Sequence, residues 1–399
     1  MKNFSDLIKN NIYTVSVYAR KIAAAATVFV LARYLSVYDY GVFSSYVTIA
    51  GYLLIIANLG FNEYILVSSD NNLKEVRIKQ SYFIVFAILT TLFYILFSGF
   101  FPIEQKLVFK LVLLRSFFDN IFFALILPHF QVAKQFTKIA WINIFYSVGI
   151  IVITVFSFIF KLTLVKFLLL CVILGFINFL QCSVGTKINY IMALCHLKEF
   201  YKFIDNNFKY FALVTIIMIT QAQLYAVCIS IFIPKEQAAL FFAAYNIVSI
   251  IQLFAMAQIQ QIMPEMVALT GEGLKKSIFK AQKLLLSVYG VIILFFVVFG
   301  KTVLQLIYSK EYYTNAYPIL ITLSVISLAN IGGIYGCAVS AKGLQKEKSK
   351  IQLQILAVAA ISVLALFKFG MWGLISSFAV SSSFTLIRYF IFCKKQKFI

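Results

Sequence analysis

The sequence predicts an all-α integral membrane protein of about twelve transmembrane helices arranged as two six-helix lobes. Three observations carry this. The 399-residue chain is 62% hydrophobic and only 12% charged, about half the charge of a soluble domain. Apolar runs of about 20 residues, the length a spanning helix needs, recur along the whole chain. The Lys and Arg residues fall in the short connections between those runs, mostly on one side.

The first span, 14–35, carries Arg20 and Lys21 near its start and Arg33 near its end. The interval from Lys21 to Arg33 covers about 18 Å at helical rise, against a hydrocarbon core of about 30 Å. At least one of these cations therefore lies below headgroup level. It snorkels along its aliphatic stem or faces a polar interior. A tight break at Ser36–Tyr40 leads to span two, 40–60. Spans three (81–101), five (139–160) and nine (281–300) are long and nearly free of charge. Span four, 107–128, carries Arg115 and Asp119 at a spacing that puts them on one helix face. Span six, 163–184, closes the first half.

The longest connection, 185–207, mixes apolar and basic residues as an interfacial amphipathic helix does. It separates an N-terminal lobe, 1–184, from a C-terminal lobe, 208–399. The second half repeats the plan with spans 208–233, 238–262, 281–300, 315–338, 351–368 and 371–392. A weak internal echo relates YDYGVFSSYVTI (38–49) to KEQAALFFAAYNI (235–247), which suggests repeated halves. All five prolines, Pro102, Pro128, Pro234, Pro264 and Pro318, fall at or near predicted helix ends, where a residue without an N–H belongs.

The cations on the N-terminal side of the spans outnumber those on the other side more than twofold. The positive-inside rule then makes both termini cytoplasmic, as an even number of spans requires. The formal charge of +21 is thus topological, and no nucleic-acid partner is implied. No cleavable leader is expected, because cations interrupt the first apolar run and no small-residue cleavage site follows it. Six scattered cysteines show no metal-ligand spacing and read as small hydrophobes. No metal or cofactor is expected.

Several segments resemble those of a known family. ARYLSVYDYGVFSSY (32–46) resembles the signature closing the first hairpin of bacterial polysaccharide flippases, with Ser36 where Gly is usual. GKTVLQLIYSKEYYTNAYPIL (300–320) resembles their segment joining spans nine and ten, with the departure Ser309. SAKGLQKEK (340–348) and FGMWGLISS (369–377) resemble the end of span ten and the start of span twelve. These flippases, of the multidrug/oligosaccharidyl-lipid/polysaccharide exporter superfamily, export O-antigen and capsule repeat units. The resemblance covers essentially the full length. It implies a MATE-like transporter fold of two six-helix bundles around a central cavity, working by alternating access. The implied substrate is an oligosaccharide repeat unit on undecaprenyl diphosphate, moved between leaflets of the bacterial cytoplasmic (inner) membrane. A polysaccharide polymerase and a chain-length regulator are the partner proteins such a role suggests.

A diphosphate needs cations in a low-dielectric site. Arg20 is the first candidate and Lys21 the second; snorkelling to cytoplasmic headgroups is the alternative for both. Arg115 is the third, deeper in. Asp119 either neutralises Arg115 structurally or tunes it and carries a proton or coupling charge. Glu63 reads as a solvated cap. Polar residues such as Asn143, Asn178 and Asn330 suit interhelical hydrogen bonds. Amides also suit sugar hydroxyls, so Gln221, Gln223, Asn246, Gln252 and Gln258 are candidates for a glycan path.

Two other classes stay open. A drug or cation antiporter of the same superfamily would place acidic residues in its cavity, whereas the intramembrane charge here leans basic. A membrane-embedded acyltransferase or polymerase would need a buried catalytic His or a large outer loop. The two histidines, His129 and His196, read as lying in cytoplasmic loops, and no such outer loop is evident. No catalytic residue set and no phosphate-binding Gly loop appears.

Overall fold

The computed structural model describes residues 4–59, 61, 64, 73–100, 105–133, 135–186, 206–308 and 310–399. Glu63, His196, Pro102, Ser309 and nearly all of the 185–207 connection lie outside the described residues. The described chain forms twelve long helical rods, a short helix Ile55–Asn58 after the second of them and, among the described residues, no strand. In the first half these are α1 (Phe4–Tyr34), α2 (Val37–Leu53), α3 (Leu73–Leu96), α4, α5 (Phe136–Ile159) and α6 (Leu164–Thr186). In the second they are α7 (Asn206–Phe232), α8 (Lys235–Ala268), α9 (Gly271–Ile307), α10, α11 (Gln345–Leu366) and α12 (Gly370–Lys395). Two rods are interrupted. Helix α4 joins Lys106–Ser116 to Phe123–Val132 through a π-helical turn, Phe117–Phe122. Helix α10 joins Lys310–Ile326 to Gly332–Ala341 through a 3₁₀ stretch, Ser327–Ile331.

Among the described residues, seven stretches are long and apolar enough to cross a membrane by length and composition, and one of them, Lys346–Lys395, contains both α11 and α12. Helices α8, α9 and α10 outrun at both ends the apolar segments that announce them, whereas α2 stops at Leu53, short of the expected 60. The apolar length marks only the lipid-facing part, and the backbone keeps its hydrogen bonds by continuing into the interface. This extension corrects the reading of the prolines. Pro318 sits well inside Lys310–Ile326, and Pro128 lies within Phe123–Val132. It also corrects the placement of His129, which is no loop residue: it lies in the last turns of α4 and is 3% exposed.

The chain divides into two compact units. The first comprises Met1–Leu35 with Tyr46–Ile219, and the second Ser36–Ser45 with Thr220–Ile399. In the first unit α1 packs along α5 in parallel. Ser16 meets Asn143 and Thr27 meets Thr154, both pairs offset by 127 positions. A constant offset means that the two helices run in the same direction, as two odd-numbered spans must. Ser16, Ala23, Thr27 and Leu31 on α1 are buried, while Val15, Tyr18 and Ile22 are exposed. On α5, Asn143, Tyr146, Ser147, Thr154 and Ser157 are buried, and Trp141, Phe145, Val148, Val152 and Phe156 are exposed. Small and polar residues inside, large apolar ones outside, is the pattern of helices whose solvent is lipid. Helix α6 reaches the π-helical turn of α4 at Gly175, where a Cβ would fall 2.7 Å from Cβ of Phe118.

In the second unit the family-like segments explain themselves. Ser36 caps α2: its Oγ accepts from the Asp39 N–H at 3.0 Å and donates to the Asp39 carboxylate at 2.8 Å. The Ser in place of the usual Gly therefore adds a cap. A Cβ on Gly41 would lie 1.9 Å from the backbone oxygen of Lys235, so only glycine fits against the start of α8. Tyr40, Tyr308 and Tyr312, all fully or nearly fully buried, pack edge to face or tilted with centroids 5.4 to 6.4 Å apart. The Tyr308 hydroxyl donates to the Ala243 carbonyl at 2.9 Å. Residues from 32–46, 235–247 and 300–320 thus meet in one core. In the 340–348 segment, Lys342 Nζ donates to the Val267 and Leu269 carbonyls, closing the C-terminal end of α8.

Candidate functional site

The first unit holds a charged cluster built from α1, α4 and α5. Arg20 projects from the buried side of α1. Its Nη1 donates to Asn143 Oδ1 at 3.3 Å, and its Nη2 makes a short hydrogen bond to the backbone carbonyl of Asp119. The guanidinium carbon lies 4.5 Å from the centroid of the Tyr146 ring, within cation–π range. Arg115 enters from α4. Its Nε contacts Asp119 Oδ2 at 3.2 Å, and its guanidinium lies 5.5 Å from the Phe167 ring on α6.

Asp119 is the hub, and it lies within the π-helical turn Phe117–Phe122. Its backbone carbonyl accepts from Arg20 while its side chain reaches one turn back to Arg115. One residue thus serves two guanidinium groups, through its backbone to α1 and its carboxylate to α4. Asn143 completes the frame, donating from Nδ2 to Ser16 Oγ at 3.3 Å.

Of the residues expected from the sequence, Arg20, Arg115 and Asp119 come together. Lys21 does not join them. One helical step rotates it about 100° onto the exposed side of α1, beside Ile22. The amide candidates lie in the second unit. Gln221 and Gln223 are half-buried on α7, and Gln252 is half-buried on α8. Asn246 donates from Nδ2 to the Tyr40 hydroxyl at 3.0 Å, within the tyrosine core. Gln258 lies on α8, its side chain outside the described residues. Tyr146 and Ser16 were not singled out by the sequence, and Asn143 appeared only among residues suited to interhelical bonds. A buried Asn one turn from a Tyr in an apolar span is the faint signal that was available.

Likeness to known proteins bears on the family and the fold. A family model described as polysaccharide biosynthesis protein matches residues 7–270. That match covers both helices of the Arg20 seam and the whole of α4. The chain belongs to the polysaccharide biosynthesis protein family. No curated protein matches it. Among solved structures, the lipid II flippase MurJ in an inward closed conformation is similar, with a TM-score of 0.74 and 13% identity over 97% of this chain and 88% of that one. A multidrug resistance MATE family transporter of the MOP superfamily, inward-facing, gives a TM-score of 0.68 and 13% identity over 95% of this chain and 94% of the other. At such identities the likeness establishes the fold: this family member is a multi-pass membrane protein with the MurJ and MATE transporter architecture.

Proposed function

We propose that this chain is a flippase. It moves an undecaprenyl-diphosphate-linked oligosaccharide repeat unit from the cytoplasmic to the outer leaflet of the bacterial cytoplasmic membrane by alternating access, supplying O-antigen, capsule or a like surface polymer. Both termini are cytoplasmic in this reading. The observation that carries it is the meeting of Arg20 and Arg115 at Asp119, two guanidinium groups drawn from separate helices into a buried cluster. Burying cations is costly in a membrane and marks a substrate or ion path. Planar guanidinium forks suit phosphate oxygens.

Asp119 is then the resident counter-anion of Arg115, which an arriving diphosphate displaces or shares. Lys21, exposed one residue beyond Arg20, meets the diphosphate at the headgroup boundary before it enters. Gln221, Gln223, Gln252 and Gln258 serve the glycan, and Asn246 does so only by exchanging its bond to Tyr40. Among the described residues the cluster holds two guanidinium groups and one carboxylate, a balance suited to an anion and not to a cationic drug.

The test is deletion of the gene with analysis of lipid-linked intermediates. Repeat units trapped on the cytoplasmic side, cleared by the wild-type chain and not by one lacking Arg20 and Arg115, are expected. Normal surface glycan in the deletion strain would overturn the flippase reading.

A further inference from the structure

We propose that the start of α3, the end of α4 and the start of α5 form a second anion site in the first unit, built for a phosphate group carried on an anionic phospholipid headgroup or free in solution. The helix register brings its residues together. Gln80 Nε2 on α3 donates to the Leu125 and Ile126 carbonyls on α4, at 2.8 and 3.4 Å. These helices are consecutive spans and run antiparallel. Arg77 lies three residues before Gln80, and His129 three residues after Ile126. Both therefore stand about one turn beyond that contact, in the same direction. The chain then reverses. The Ala133 N–H donates to the His129 carbonyl and the Gln135 N–H to the Phe130 carbonyl, which delivers Lys138 in the first turn of α5. Asp119 is about 15 Å back along α4 from His129 at helical rise, so this group is separate from the Arg20 cluster.

Four side-chain atoms here are buried and have no hydrogen-bond partner: Arg77 Nε, Gln80 Oε1, His129 Nδ1 and Gln135 Oε1. His129 is 3% exposed and Gln80 is fully buried. Buried polar atoms are as a rule hydrogen-bonded, so four gathered at one end of a helix pair point to a ligand. Charge says of which kind. Among the described residues, the charged side chains acting on the His129 ring are Arg77 and Lys138, and both are cations. Cations crowded at a buried imidazole repel one another until an anion joins them. The Arg77 fork suits phosphate oxygens. His129 donates from Nδ1 in the tautomer that carries its proton there. Lys138, exposed at the rim, adds a point charge on a flexible stem. Gln80 and Gln135 accept from headgroup hydroxyls or from water. Span four is expected to end at 128, which sets the site at headgroup depth. An ordinary loop lysine there is solvated and presents no buried, unpartnered atom.

The experiment titrates purified full-length protein in neutral detergent with dihexanoyl phosphatidylglycerol, dihexanoyl phosphatidylcholine and inorganic phosphate, and follows thermal unfolding. Wild type is expected to be stabilised by phosphatidylglycerol and not by phosphatidylcholine. An equal shift with inorganic phosphate supports the site and assigns it to the free ion; a shift with phosphatidylglycerol alone supports it and assigns it to the headgroup. Arg77→Gln should melt as wild type does when empty, because Arg77 Nε gives up no hydrogen bond. It should need about tenfold more ligand for the same shift. Lys276→Gln, which removes an exposed charge from α9, and Arg20→Gln, in the first cluster, should respond as wild type does. Lys276→Gln losing as much as Arg77→Gln would mean diffuse attraction to a basic chain. A shift lost in Arg20→Gln and kept in Arg77→Gln would mean that the anion sits in the first cluster. Either result, or a wild type that responds to neither anion, overturns the inference and leaves the flippase reading, which rests on Arg20 and Arg115, standing.

Discussion

Replacing Asp119 with Asn isolates what the hub's charge does. The backbone carbonyl that Arg20 uses is untouched, so the α1 contact persists. The change removes the carboxylate 3.2 Å from Arg115 Nε, a pair whose side chains are 13% and 14% exposed. Breaking a buried ion pair by neutralising one partner costs about 3–5 kcal/mol, because the other charge is left uncompensated. In a chain of this length that corresponds to a fall in Tm on the order of 5 °C. The same deletion removes the internal competitor for an arriving diphosphate, so ligand affinity should move the opposite way. Full-length Asp119→Asn in detergent should therefore melt earlier than wild type when empty, and gain more stability from farnesyl diphosphate. Differential scanning fluorimetry with and without the probe reads both quantities. Equal melting of the two empty proteins, with equal shifts on adding the probe, would refute the hub.

Arg20→Ala should abolish export of lipid-linked repeat units in a complementation assay, whereas Lys21→Ala, on the exposed side of α1, should reduce it only modestly; equal effects would mean that the burial difference is irrelevant. Gly41→Ala drives a methyl group into the Lys235 backbone oxygen and should destabilise by about 3 kcal/mol, visible as lost expression and a lowered Tm. Ser36→Ala removes the α2 cap at a cost of about 1 kcal/mol, and Ser36→Gly, the residue usual in the resembling signature, should cost only a few tenths; thermal unfolding of the two variants checks the order.

Much of the architecture was legible because a bilayer makes it so. In lipid a backbone must close its own hydrogen bonds, and a run of about 20 apolar residues can do little but form a spanning helix. That is why most expected segments overlap the observed rods closely, although span two, 40–60, runs past the end of α2 at Leu53 and span three, 81–101, past the end of α3 at Leu96. The Arg115–Asp119 pair was legible for a similar reason, since a spacing of four residues is a local property. The interior prolines and His129 were misplaced because an apolar window cannot see a helix continuing through the interface. The π-helical turn left no mark in FFDNIF that separates it from ordinary helix. The signature segments could be matched as patterns but not explained: Tyr40 and Gly41 acquire their reasons only beside Lys235, Asn246, Tyr308 and Tyr312.

The sequence by itself determined that this is a polytopic helical membrane protein, roughly where each helix runs, and that the first helix carries more charge than lipid tolerates. Tertiary structure decided where that charge sits and what it touches. Arg20 and Lys21 are neighbours in sequence and differ by a single helical step, yet one is turned into a polar seam and the other away from it. The partners that make the distinction, Asp119 and Asn143, lie 99 and 123 positions away. A buried charge has a defined energy only with respect to the dipoles and counter-charges around it, and those are brought to Arg20 by the packing of α1 against α4 and α5.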